Sequence, residues 1–249
     1  MTYFKLLILA CSLLLTTTAH AEKIMVAVAA NFAAPMKAIA ADFEKESGHK
    51  VVLSFGSSGK FYSQITNGAP FQLFLSADEE KPARLEKDGL VVAGSRFTYA
   101  VGTLVLWSSK ADFVDAKGEV LRTGSYNKLA IASPRLAPYG SAAIEVLTRL
   151  GLLATVEPKF VQGENIAQTH QFVATGSADL GFVALAQVMQ GGKISSGSAW
   201  VVPSTLHSPI RQDAVLLTAA KGNVAAEALA AYLKSDKAKA IIRSYGYEI

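Results

Sequence analysis

The chain has 249 residues, 51% of them hydrophobic, and carries a formal net charge of +4 at neutral pH. That length holds one or two domains and the composition supports a large core, so the chain is globular. Lysines and arginines are scattered among acids instead of forming a stripe, which argues against a nucleic-acid partner.

The first element in the chain is a leader. Lys5 precedes an apolar stretch, Leu6 to Leu15, and the segment closes on Ala19-His20-Ala21, an A-x-A cleavage signal. This pattern predicts a secretory signal peptide over residues 1–21, cleaved after Ala21, with a mature soluble chain from Glu22. The stretch is shorter than the roughly 20 apolar residues that span a bilayer. The one cysteine, Cys11, falls inside the segment to be removed, so the mature chain has neither a disulfide nor thiol chemistry. A lipoprotein reading at Ile8-Leu9-Ala10-Cys11 would leave an unusually short apolar region before the lipidated cysteine.

Beyond the leader, strand and helix patterns alternate. Ile24 to Ala29 is an apolar run of strand length, followed by Met36, Ile39, Ala40 and Phe43 at helical spacing up to Gly48. Val51 to Phe55 reads as a second strand, then a helix with Phe61, Tyr62 and Ile65 runs to Gly68. Gln72 to Ser76 is a third strand, and Glu79 to Asp88 an amphipathic helix that ends at Gly89. Three strand-helix repeats predict βαβ units around a mostly parallel sheet.

A second set starts with a strand at Gly102 to Trp107. Leu129 to Ala132 then leads into Ser133-Pro134-Arg135-Leu136-Ala137-Pro138, whose prolines delay the next helix until Tyr139 to Ser141. That helix carries Ile144, Leu147 and Leu150 inward and ends at Gly151. A strand near Lys159 to Val161 precedes Asn165, a helix N-cap, and a helix to Thr175. Leu180 to Val183 is a strand, and Asn223 to Lys234 and Asp236 to Tyr245 are two closing helices.

Four turns, at Asn31, Ser58, Tyr139 and Ile166, fall where a strand ends and a helix begins. Open α/β sheets place ligands there, and helix N-termini hold anions through unpaired backbone N–H groups. The donors are an amide, a hydroxyl, a phenol and backbone N–H groups, including those of Ala30 and Ser57, and none of the turns supplies an acid. An unprotonated tetrahedral dianion only accepts hydrogen bonds, whereas monohydrogen phosphate also needs an acceptor for its proton. Molybdate, tungstate or sulfate therefore fits better than phosphate. Each residue also has a plainer reading. Asn31 and Ser58 are ordinary candidates for N-caps worth about 1 kcal/mol, Tyr139 for a core aromatic, and Ile166 for a core side chain.

Enzyme motifs match poorly. Gly56-Ser57-Ser58-Gly59-Lys60 has lysine where the nucleophile elbow ends in glycine, and Ser54 stands where a phosphate-binding Walker loop begins with glycine. A serine hydrolase using Ser58 would need a base, and no spacing brings His49, His170 or His207 to it. Metal-ligand spacing is absent as well.

Read together, Val28-Ala29-Ala30-Asn31-Phe32, Phe55-Gly56-Ser57-Ser58-Gly59, Asn67-Gly68-Ala69-Pro70, Phe74-Leu75-Ser76-Ala77-Asp78 and Ala137-Pro138-Tyr139-Gly140 resemble the periplasmic molybdate-binding proteins of ABC importers. So do Ala178-Asp179-Leu180-Gly181-Phe182-Val183 and Tyr245-Gly246-Tyr247, and the likeness covers Lys23 to Ile249. The resemblance implies a class II periplasmic-binding-protein fold: two α/β lobes, 22–102 plus 204–249 and 103–203, joined by two hinge crossovers around a ligand cleft. It implies that Asn31 and Ser58 each give a side-chain donor and an N–H, that Tyr139 gives an N–H and a phenol, that Ile166 gives an N–H, and that Ala30 and Ser57 help. It further implies a periplasmic monomer that needs no cofactor and delivers molybdate or tungstate to a membrane permease. Sulfate or thiosulfate is the alternative cargo. The better-known form of the family has serine at the position of Asn31 and a binding tyrosine where this chain has Ala184. This chain is thus similar to the asparagine subgroup, with Tyr139 acting from a different turn.

Overall fold

The structure, a computed structural model, describes residues 21–249. The leader read over residues 1–21 lies outside them except for Ala21. Among the described residues no helix is long and apolar enough to cross a membrane.

The chain opens with β1 (Lys23–Ala29), a 3-10 turn at Ala30–Phe32, α1 (Ala33–Ser47), β2 (Lys50–Gly56), α2 (Ser58–Thr66), β3 (Leu73–Leu75), α3 (Glu80–Lys87) and β4 (Phe97–Gly102). It continues with β5 (Leu104–Ser108), α4 (Val120–Thr123), β6 (Leu129–Ala132), α5 (Pro138–Arg149), α6 (Leu153–Val156), β7 (Phe160–Gly163), α7 (Ile166–Ala174), β8 (Leu180–Ala184) and α8 (Leu185–Val188). A small hairpin of β9 (Met189–Gln190) and β10 (Lys193–Ile194) precedes β11 (Ser198–Val201), β12 (Ile210–Leu216), α9 (Val224–Tyr232) and α10 (Asp236–Ser244).

Two five-stranded sheets organise these elements. The first has the order β2-β1-β3-β12-β4 and the second β11-β5-β8-β6-β7. In the first, β1 is parallel to β2 and β3, as the βαβ reading predicts, while β12 runs antiparallel to β3 and β4. In the second, β6 is parallel to β7 and β8, and β5 is antiparallel to β8 and β11.

The single strand expected over Gly102 to Trp107 is two strands. β4 ends in the first sheet at Gly102, the chain crosses at Thr103, and β5 begins in the second sheet at Leu104. The return crossing lies between β11 and β12. Two crossovers side by side therefore connect the sheets.

Each sheet has its own core. Ile24, Val26 and Val28 of β1 pack with Phe32 of the 3-10 turn and with Met36 and Ile39 of α1, while Ala27 faces the other way toward Phe61, Phe74 and Val215. Both faces of this sheet are thus covered, which is why β1 reads as a continuous apolar run without alternation. The second core gathers Leu104, Leu106, Leu129, Ile131, Val146 and Phe182. These packed layers hold the strand ends, and so the turns that follow them, in fixed positions.

Candidate anion-binding site

All six residues singled out above, Ala30, Asn31, Ser57, Ser58, Tyr139 and Ile166, line one small cavity between the two sheets. Its remaining wall is Ala29, Gly56, Ala77, Ala137, Pro138 and Asn165, so no charged side chain contributes. The space open to the centre of a water-sized sphere is about 10 Å³. With that sphere's own radius of about 1.4 Å added, a compact space of this volume has a radius of roughly 2.7 Å. It suits a small tetrahedral ion, not an organic solute of several carbons.

The local folds explain which donors remain available. β1 runs into the 3-10 turn at Ala30, β2 into α2 through Ser57, and β7 into α7 through Asn165, so each turn exposes first-turn N–H groups. At α5, proline occupies the first helical position and leaves Tyr139 to present the first amide. The following amides are already used: Gly59 N–H donates to Leu136 O at 2.9 Å and Gly140 N–H to Ala137 O at 2.8 Å. Ala167 and Gln168 N–H donate to Asn165 Oδ1 at 2.9 and 3.1 Å, which confirms Asn165 as the cap of α7. Ala30 N–H is taken up by the last rung of the β1–β2 ladder, at Ala29 and Gly56, whereas the N–H groups of Asn31, Ser57, Ser58, Tyr139 and Ile166 have no protein acceptor among the described residues.

The plainer capping reading fails for both Asn31 and Ser58. Ser57 is the residue that caps α2, accepting Lys60 N–H at 3.4 Å, and Asn31 sits inside the 3-10 turn without capping it. Ser58 Oγ instead accepts the Ala77 N–H at 2.8 Å. That contact fixes the oxygen and leaves the hydroxyl proton for an acceptor in the cavity.

Asn31 and Tyr139 meet in a buried network that occupies the crossovers. The Asn31 amide lies 2.8 Å from Gln212 Oε1 and 3.1 Å from the Tyr247 hydroxyl, which donates to Asn31 O at 2.8 Å. Gln212 Nε2 is 3.2 Å from the Tyr139 hydroxyl, and Gln212 Oε1 is 3.0 Å from the Tyr99 hydroxyl, itself 2.9 Å from Ser76 O. Phe32 presses edge-on against Tyr99 and Tyr247, with ring centroids 4.7 and 5.4 Å away. Burial raises the pKa of Tyr99, Tyr139 and Tyr247, so all three stay protonated donors. The Tyr139 phenol, expected from the resemblance to reach the ion, is thus set against Gln212, and its backbone N–H is the group with no protein acceptor.

The sequence reading missed Gln212, Tyr99 and the N–H of Ala77. Ala77 and Tyr247 had a signal only as parts of Phe74-Leu75-Ser76-Ala77-Asp78 and Tyr245-Gly246-Tyr247. Gln212 stands between Arg211 and Asp213, where nothing in the pattern suggests a buried strand.

A larger groove of about 260 Å³ opens beside the cavity, but Asp78, Glu79, Glu80 and Glu145 on its wall outnumber Lys81 and Arg211. Its acidic wall disfavours an anion. Across the cleft, Lys60 Nζ and Glu164 Oε1 pair at 3.0 Å, and with the Gly59–Leu136 bond they hold the lobes together in a closed arrangement. The three histidines sit elsewhere: His49 accepts Glu22 N–H at 3.3 Å, His170 stacks on Trp107 at 5.0 Å, and His207 Nδ1 lies 2.8 Å from Ser208 O. None lines the cavity, and among the described residues no group of three or more His, Cys, Asp or Glu could hold a metal ion.

Two α/β lobes joined by paired crossovers, with a small cavity where their helix N-termini meet, define a two-lobed solute-binding protein. The family model for bacterial extracellular solute-binding proteins matches residues 24–248, and the chain belongs to that family. It is 59% identical over 234 residues to the molybdate-binding protein ModA of Azotobacter vinelandii, covering 94% of this chain and 93% of that one. The ModA of Rhodobacter capsulatus is 52% identical, with 94% and 91% covered. Among solved structures, a periplasmic molybdate-binding protein of Azotobacter vinelandii superposes with a TM-score of 0.89 at 44% identity, covering 91% of this chain and 99% of that one. The sulfate-binding protein SubI of Mycobacterium tuberculosis shares the fold, with a TM-score of 0.76 at 15% identity over 91% and 86% of the two chains.

Proposed function

We propose that the protein captures molybdate, and tungstate with it, in the periplasm and delivers the ion to the membrane permease of an ABC importer. It acts as a binding protein and not as an enzyme. The observation that carries this reading is the cavity wall: five N–H groups without protein acceptors and the Ser58 hydroxyl, with no acid and no cation. Charge-assisted hydrogen bonds from such a wall match an ion that only accepts. Exclusion of water by the closed lobes strengthens each of them. The high identity to proteins named for molybdate supports that ion among the oxyanions of this charge.

Capture proceeds in two stages. Residues 22–102 with 204–249 form the lobe that offers Asn31, Ser57 and Ser58. Closure of the lobe 103–203 then adds the N–H groups of Tyr139 and Ile166. The chain works as a monomer, without a cofactor, after its leader is cleaved behind Ala21. A hydrolase reading finds no base at Ser58, since no histidine lines the cavity.

A thermal-shift panel on residues 22–249 with molybdate, tungstate, sulfate, thiosulfate and phosphate tests the reading. An ion at a hundred times its dissociation constant stabilises the fold by about 2.7 kcal/mol, and molybdate and tungstate are expected to do so at the lowest concentrations. A shift with sulfate or thiosulfate but not molybdate would reassign the cargo. No shift with any oxyanion would overturn the reading.

A further inference from the structure

The two ends of a carboxamide have the same shape, so one set of heavy-atom positions carries two proton arrangements. In the first, Asn31 Nδ2 donates to Gln212 Oε1 and to the Tyr247 hydroxyl, and Gln212 Nε2 donates to the Tyr139 hydroxyl. The Tyr139 proton then has only the Tyr247 oxygen to turn to, which already accepts from Asn31 Nδ2. Asn31 Oδ1 is then left without a donor and opens onto the cavity that Asn31 lines. An acceptor oxygen would then face the anion.

In the second arrangement both amides are turned end for end. Gln212 Nε2 spends one proton on Asn31 Oδ1 at 2.8 Å and the other on the Tyr99 oxygen at 3.0 Å, whose own proton goes to Ser76 O. The Tyr139 hydroxyl donates to Gln212 Oε1 at 3.2 Å, and Tyr247 donates toward Asn31 O. Every buried proton of Gln212 and the tyrosines now has an acceptor, and Asn31 Nδ2 points at the ion.

We infer that Gln212 is a positioning residue that holds the Asn31 amide with its NH₂ toward the anion, and that Tyr139 fixes Gln212 for this task from the opposite lobe. Gln212 lies on β12 of the first sheet, and its partners come from both sheets' elements: Asn31 follows β1, Tyr99 is on β4 and Tyr139 opens α5. Closure of the lobes therefore sets the donor character of the cavity at Asn31. The inference rests on the anion-capture reading above.

A double-mutant cycle by calorimetric titration with molybdate tests it, because a residue that acts through another loses its effect when that other is changed. Gln212→Met keeps the volume and removes the polar partners, and is expected to weaken molybdate about tenfold or more in the parent protein. In an Asn31→Ser background, whose hydroxyl needs no orienting partner, the same change is expected to cost less than threefold. Tyr139→Phe serves as the second variant should Gln212→Met not fold, with the same contrast between backgrounds. Equal losses in both backgrounds, or no loss in the parent protein, would overturn the role of Gln212. Failure of the parent protein itself to bind molybdate would instead overturn the function reading.

Discussion

The hydroxyl of Tyr139, at the start of α5 in the second lobe, lies over the α-carbon of Gly102, the last residue of β4 in the first. A methyl group at Gly102 would collide with that oxygen and stand 2.6 Å from Gln212 Nε2. The tyrosine thus docks into the crossover only because Gly102 has no side chain. The φ of Gly102 is not in the left-handed region, so alanine fits its backbone; the clash with Tyr139 arises only when the lobes close, while Gln212 Nε2, the free end of a side chain on β12 of the same sheet, has to shift aside in either state. Gly102→Ala is expected to leave melting of the anion-free protein close to that of the parent. Molybdate affinity should fall at least a hundredfold, and small-angle scattering should show no compaction on adding the ion. Parent-like affinity would contradict this account of closure.

Ser58 has two partners to lose. Ser58→Ala removes a charge-assisted hydrogen bond to the ion worth roughly 1.5–3 kcal/mol, or about tenfold to a hundredfold in affinity. It also strips the Ala77 N–H of the acceptor it reaches at 2.8 Å, which should cost on the order of 1 kcal/mol in the anion-free protein. Titration calorimetry reads the first loss and anion-free melting the second. An affinity unchanged by the substitution would remove Ser58 from the site.

Ile166 contributes only its backbone, and its position allows that claim to be isolated. It is the first helical residue of α7, where proline is tolerated, and Asn165 before it is extended at φ −144° and ψ 172°, as a residue preceding proline prefers. Ile166→Pro should therefore keep α7 and delete one N–H donor, lowering molybdate affinity by about tenfold or more. Ile166→Val keeps the N–H and should bind like the parent, at a stability cost of about 0.5–1.5 kcal/mol. Equal affinities for the two variants would show that this N–H does not touch the ion.

The turns were legible in the sequence because each joins a strongly apolar strand to a helix with clear end signals: Ala29 to Asn31 after an unbroken apolar run and Asn165 as a true cap; at α5 the helix begins at Pro138 itself, just before the expected start at Tyr139 to Ser141, because proline fits a first helical position. The crossovers had no local signal, and their bounds came only from the family resemblance. Gly102 to Trp107 looks like one strand since nothing at Thr103 marks the passage from sheet to sheet. β12 was hidden for a related reason, as its middle residues Gln212 and Asp213 are polar and yet buried. Asp213 is held there by Arg96 at 2.9 Å and Thr98 at 2.7 Å, and Gln212 by the tyrosines and Asn31. Buried polar residues satisfied by partners 73 to 181 positions away leave no local pattern to read. Neighbouring serines posed the opposite difficulty, because either Ser57 or Ser58 could cap α2 and only the packing of Ala77 separates them.

A crystal structure of residues 22–249 grown with molybdate, with the ion located by anomalous scattering from molybdenum, tests the central claim most directly. The account predicts one molybdenum in the cavity between the lobes, with oxygens about 2.7–3.1 Å from the N–H groups of Ser58, Tyr139 and Ile166 and from Ser58 Oγ. Molybdenum bound elsewhere, with this cavity free of it, would contradict the account.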